Sequence, residues 1–148
     1  TQEGIKAVAA KDGIIAIKVK SSRMLLAYGF LRKVFEVFEK YKTPIDMITT
    51  SEVAVSVTID NETYVDDIVR ELNPFGTVEV TTHQTIVSVV GNNIASTEYL
   101  LQKLFTAIQH IPVTMVSYGG SSHNVSLLVP NQYKEATLQA LNTGLFGL

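Results

Sequence analysis

From residue 53 to residue 60, apolar Val53, Val55, Val57 and Ile59 alternate with Ala54, Ser56, Thr58 and Asp60. This is the period-two signature of a strand with one buried face. The period then lengthens. Val65, Ile68, Val69 and Leu72 fall at i, i+3, i+4 and i+7, and Asn73-Pro74-Phe75-Gly76 stops the helix they predict. The same stripe appears in "FLRKVFEVFEKY" at 30–41, through Leu31, Val34, Phe35 and Phe38, and again in Leu100, Leu101, Leu104, Phe105 and Ile108. A weaker fourth helix is expected from about Gln132 to Leu145.

One half of the chain lies on the other. "LRKVFEVFEKYKTPIDMIT" matches "LQKLFTAIQHIPVTMVS" once two residues are dropped before the proline. Leu31 pairs with Leu101, Lys33 with Lys103, Phe35 with Phe105, Pro44 with Pro112 and Met47 with Met115. Past the turn, Val55 and Ser56 pair with Val125 and Ser126. Each copy reads as a β-α-β-β-α-β unit of the ferredoxin-like kind. Roughly eight strands and four helices suit two such units, but the chain opens with two strands, "IKAVAA" and "GIIAIKVKS", and ends on a helix. The second copy lacks its last strand while the first has one to spare. If Ile5–Ala10 closes the second sheet, the first unit is inserted in the second, and the apolar surface and ladder groups that a missing strand would expose are covered.

The remaining oddity is "TPIDMITTSEV", where Asp46 interrupts an apolar strand and Thr49, Thr50, Ser51 and Glu52 crowd the turn. The duplicate position holds Thr114, so the fold does not demand a carboxylate there. Gly29-Phe30 opens a helix whose first N–H groups suit a small carboxylate. Together with Asp46, Ser51 and Glu52 it complements a free amino acid, including a basic one.

Bulk chemistry excludes several alternatives. With 148 residues, 46% hydrophobic and 18% charged, the chain is globular. A net charge of −2 argues against a nucleic-acid partner or an anionic membrane surface. Without cysteine there is neither a disulfide framework nor a thiolate metal site. No apolar run approaches a membrane span and no leader opens the chain, so a cytoplasmic protein is expected, and the missing initial Met suggests a fragment. The sequons at Asn61 and Asn124 are read as chance. His83 is placed at a strand end and His110 at a helix end. Neither these nor His123 stands at metal-ligand spacing. Adjacent Ser122 and His123 point to opposite faces. "YGGSSHN" precedes a strand where a phosphate cradle needs a helix. No catalytic residue and no metal site is expected. A ferredoxin-like RNA binder is disfavoured because "VAVSVTI" offers Ala, Ser and Thr on its outer face in place of aromatics.

"YGFLRKVFEVFEKYKTPIDMITTSEVAVSVTID" together with "YGGSSHNVSLLVP" resembles the C-terminal regulatory half of aspartokinases, especially the lysine-sensitive kind, over nearly the whole chain. The resemblance implies an α+β fold of two ferredoxin-like βαββαβ ACT domains, interlaced with the first unit inserted in the second. It assigns 14–83 to a first, effector-binding ACT domain and 5–10 plus 84–148 to a second, whose last strand comes from the N-terminal segment. It implies feedback control by an end-product amino acid at a homodimer interface between ACT domains, acting on an N-terminal kinase domain of the same polypeptide. Effector-binding residues would be Met24, Phe30 and Leu31 at the helix start, Ile45 and Asp46 on the strand, and Thr50, Ser51 and Glu52 at the turn. Asp46 and Glu52 would pair the ammonium groups of L-lysine, and N–H groups near Phe30 and Leu31 would hold its carboxylate. No cofactor is implied for this chain, since ATP and Mg belong to the kinase half, and the chain alone is expected to lack phosphotransferase activity. Ala27 stands where a serine is common and Pro44 where a polar residue can sit, which leaves open a threonine-sensing region of an aspartokinase–homoserine dehydrogenase or a ligand-free ACT dimerisation module.

Overall fold

A computed structural model describes residues 4–21, 29–92, 94 and 99–148. Among these residues the elements are β1 (Gly4–Lys20), α1 (Phe30–Lys40), β2 (Ile48–Thr50), β3 (Ala54–Ile59), α2 (Val65–Leu72), β4 (Thr77–Asn92), α3 (Leu100–Ala107), β5 (Met115–Ser117), β6 (Asn124–Pro130) and α4 (Lys134–Phe146). Short 3-10 turns at Asn73–Phe75 and Asn131–Tyr133 lead into β4 and α4.

Two compact units divide these elements. One is Gly13–His83, and the other combines the N-terminal stretch through Asp12 with Gln84–Leu148. The first unit is thus inserted in the second. Its strands run in the order β2-β3-β1-β4, and the other unit's in the order β1-β4-β6-β5. The expected eight strands are six because β1 and β4 each serve both units. "IKAVAA" and "GIIAIKVKS" are one continuous strand, not two. Gly13 takes φ 72 and His83 φ 57, both mid-strand, so the left-handed region is absorbed without ending the ladder. His83 therefore does not lie at a strand end, and His110 lies beyond the end of α3.

In the unit Gly13–His83, β3 pairs antiparallel with β1 (Ile17 opposite Val57) and with β2 (Thr49 opposite Ser56). β1 and β2 thus run the same way, and α1 must carry the chain back between them. Its stripe buries Phe30, Val34, Val37 and Phe38 on Ile15, Ile17, Val19, Val55, Val57 and Ile59, with Ile68 and Leu72 from α2. The other unit repeats this plan, packing Leu100, Leu104, Ile108 and Leu141 on Val87, Val89, Val125, Leu127 and Val129.

Glycine is needed where β4 meets β1 at either end. A Cβ on Gly76 would lie 2.3 Å from the Lys20 carbonyl oxygen, and one on Gly91 2.2 Å from that of Gly4. Both obstacles are backbone, which cannot swing aside. Gly76→Ala is expected to lower stability by about 1–3 kcal/mol, the usual range for forcing an extra methyl into a packed site. A shift of the urea midpoint at unchanged slope would measure it.

Candidate functional site

The sequence-predicted site residues occupy both ends of β2. At one end Ser51 donates its N–H to Ala54 O at 2.9 Å, leaving Glu52 and Val53 as a two-residue turn. Val53 donates to the Ser51 hydroxyl at 3.3 Å, and its carbonyl accepts from Ser21 N–H at 2.8 Å, which ties the turn to the end of β1. Thr49 and Thr50 belong to β2, not to the turn, and Val53 precedes β3. Thr50, Ser51 and Glu52 are all exposed.

α1 begins at this same end, since it must return from the end of β1 to the start of β2. Its N-cap is Gly29 at φ 84, whose carbonyl accepts the Lys33 N–H at 3.0 Å. Glycine at the N-cap has no side chain with which to cap the first turn, whose N–H groups point toward this end. Phe30 is buried and anchors the turn to the core, while Leu31 is 40% exposed beside it. Met24 and Ala27 lie outside the described residues.

Ile45 and Asp46 stand at the other end. Asp46 precedes β2 and donates its N–H to Thr58 O at 2.8 Å. Thr58 donates its own N–H to Met47 O at 3.0 Å, and its hydroxyl accepts the Met47 N–H at 2.8 Å. Two residues therefore oppose one, a β-bulge that turns the exposed Asp46 side chain out of the regular alternation. The duplicate has the same bulge. Thr114 N–H bonds Leu128 O at 2.9 Å while Met115 stands opposite Leu128. There the Thr114 hydroxyl is spent on that carbonyl, at 3.1 Å.

Asp46 precedes β2 and Glu52 follows it in the turn, so the whole of Ile48–Thr50, at about 3.3 Å per residue, lies between them. Within one chain the two carboxylates therefore stand at opposite ends of β2. Phe30, Leu31, Thr50, Ser51 and Glu52 form one group, and Ile45 and Asp46 another.

Sequence periodicity missed a polar clamp at the far end of α1. Lys40 Nζ donates to both Glu71 carboxylate oxygens at 2.9 and 3.0 Å, and the Tyr41 hydroxyl donates to Glu71. The Tyr41 ring packs on Tyr64 at 5.5 Å between centroids. Hydrogen bonds from Tyr41 and then Lys40 hold the Glu71 carboxyl below its usual 4.5, and the Glu71 carboxylate raises both Lys40 and Tyr41. Among the described residues no cluster of three His, Asp or Glu could hold a metal, and no helix is long and apolar enough to cross a membrane.

A family model for the ACT domain matches residues 17–72 and 87–145, once in each unit. The chain belongs to the ACT domain family. Aspartokinase 3, chloroplastic, of Arabidopsis thaliana is 33% identical over 153 residues, covering 96% of this chain and 27% of that protein. A Porphyromonas gingivalis W83 domain named as a C-terminal regulatory domain of aspartate kinase is 48% identical. It covers 95% of this chain and 96% of that one, with a TM-score of 0.86. E. coli aspartokinase III in complex with lysine and aspartate is 30% identical over 96% of this chain and 33% of that one, with a TM-score of 0.85. This tandem ACT chain is of the aspartokinase regulatory type. It spans about a third or less of the length of the full aspartokinases it matches, and their kinase portion lies outside the match.

The lowered Glu71 carboxyl fixes the sign of a pH effect on the ACT fold. Its stabilisation is complete above the ordinary 4.5 and is lost as pH falls through the depressed folded value. Thermal melts between pH 7 and pH 3 should show a shallower acid decline in Glu71→Gln than in the parent chain. Parallel declines would assign the acid sensitivity to other groups.

Proposed function

We propose that this chain is the sensory part of an aspartokinase. Its inserted ACT unit binds an end-product amino acid, L-lysine, and its occupancy restrains a kinase half that converts L-aspartate and ATP to 4-phospho-L-aspartate. The observation that carries this is the placement of two exposed carboxylates on either side of an edge strand. β2 ends its sheet order, and Ile48 is 46% exposed upon it. Asp46 and Glu52 are each three residues from Thr49. If two copies pair their β2 edges antiparallel about Thr49, Asp46 of one copy stands beside Glu52 of the other. The first turn of α1, with its N–H groups, comes with Glu52. Each of two equivalent sites then has N–H donors for a carboxylate and two carboxylates for two ammonium groups, a fit to lysine in particular. The likeness to the lysine complex of the E. coli enzyme supports the choice. Coupling of about 1–3 kcal/mol between effector and kinase is typical of such control.

Calorimetry with L-lysine, using L-threonine and L-methionine as controls, is expected to give lysine-specific binding of about −8 to −4 kcal/mol. Asp46→Asn and Glu52→Gln should each weaken it at least about tenfold, the loss of a charge-assisted hydrogen bond. An equimolar mixture of the two variants should regain binding in the dimers that pair one of each, because one of their two sites is then intact. Loss in both variants without recovery on mixing would place both carboxylates in one chain's site. Threonine-specific binding, or no heat with any of the three, would overturn the lysine assignment.

A further inference from the structure

We propose that Gly4–Lys11, the N-terminal half of β1, is a detachable strap that opens from its unit while the rest of the chain stays folded. The two halves of this one strand are held very differently. In the second half Ile14, Ile15, Ile17 and Val19 are 0–7% exposed. In the first half none of Gly4–Asp12 is buried, and only Ile5 and Val8 reach the core around Val87, Val89 and Leu141. The intervening Lys6, Ala7, Ala9, Ala10 and Lys11 are all exposed, and alanine and lysine are poor strand formers.

Besides its pairing with β4, the strap is held by contacts at its two ends. Gly4 and Ile5 press against Gly91, where a Cβ would lie 2.2 Å from Gly4 O and 2.9 Å from Ile5 Cα. At the other end Asp12 accepts from Lys134 Nζ at 2.8 Å and from the buried Thr85 hydroxyl at 3.0 Å. The Thr85 hydroxyl also meets the Asn131 side chain at 2.8 Å. A hydroxyl has one proton to give, so Thr85 serves the Asp12 carboxylate or the Asn131 Oδ1, one at a time. Strand β4 loses its neighbour when the strap leaves, and its 84–92 ladder becomes a free edge. Few buried contacts and an exposed terminal pair are the properties of a segment at the low end of local stability. The latch at Asp12 decides how often it opens.

Trypsin provides the test, because Lys6 and Lys11 lie in the strap and Lys18 and Lys20 in the fixed half, all four exposed. Initial cleavage rates, read by mass spectrometry on the intact chain, should be at least tenfold faster after Lys6 and Lys11 than after Lys18 and Lys20. Asp12→Asn should accelerate the first two several-fold and leave the others unchanged. Rapid cleavage after Lys6 alone would reduce the strap to ordinary end fraying and overturn the proposal. So would equal rates at all four lysines, or an equal response of all four to Asp12→Asn. Amide exchange of Lys6–Lys11 against Val87–Val89 gives an independent reading, with a common rate for both segments again overturning it.

Discussion

At Gly76, just before β4, and at Gly91 within it, the backbone approaches that of β1 so closely that no side chain fits between them. The rest of the architecture depends on this pairing. A four-stranded sheet ordered β2-β3-β1-β4 needs its first and last strands side by side in the middle of the order and at its edge. The chain meets that need in each unit with part of the same two strands. Because β1 and β4 pass from one unit into the other, the sheet of Gly13–His83 closes within one contiguous stretch, whereas the other unit's sheet takes strands from both ends of the chain. Insertion of Gly13–His83 into the other unit follows from the pairing.

Much of this was legible in the sequence because it follows periodicity. The stripes in "FLRKVFEVFEKY" and "LLQKLF" marked helices, and alternation around Val55 and Val57 marked a strand. The duplication, together with a surplus strand at the front and a deficit at the back, pointed to interlacing. The continuity of β1 and β4 was not legible. Asp12-Gly13 carries the composition of a turn, and only the fold shows that Gly13 at φ 72 bends a strand without ending it. His83 at φ 57 gives no compositional warning at all.

The candidate site divides in the same way. Asp46 announced itself by breaking an apolar run and by having Thr114 as its duplicate. What composition could not convey was distance. Asp46 and Glu52 are close in sequence and look like partners, but an extended strand lies between them, and a bulge built on Thr58 sets the direction of one of them. The Glu71 clamp was invisible for a different reason. Lys40, Tyr41 and Glu71 are ordinary surface residues of two separate helical segments, and only tertiary packing brings them together.

Both units end their sheets in strands of only three residues, Ile48–Thr50 and Met115–Ser117. So short an edge offers few free ladder groups and is a poor template for runaway growth of sheets. A dimer of the proposed kind, joined there, would be small and readily reversible. In the proposed dimer this makes chain concentration and effector concentration partly interchangeable, since each drives the same association by mass action. The amount of the chain in a cell would then help set the level of amino acid to which it responds.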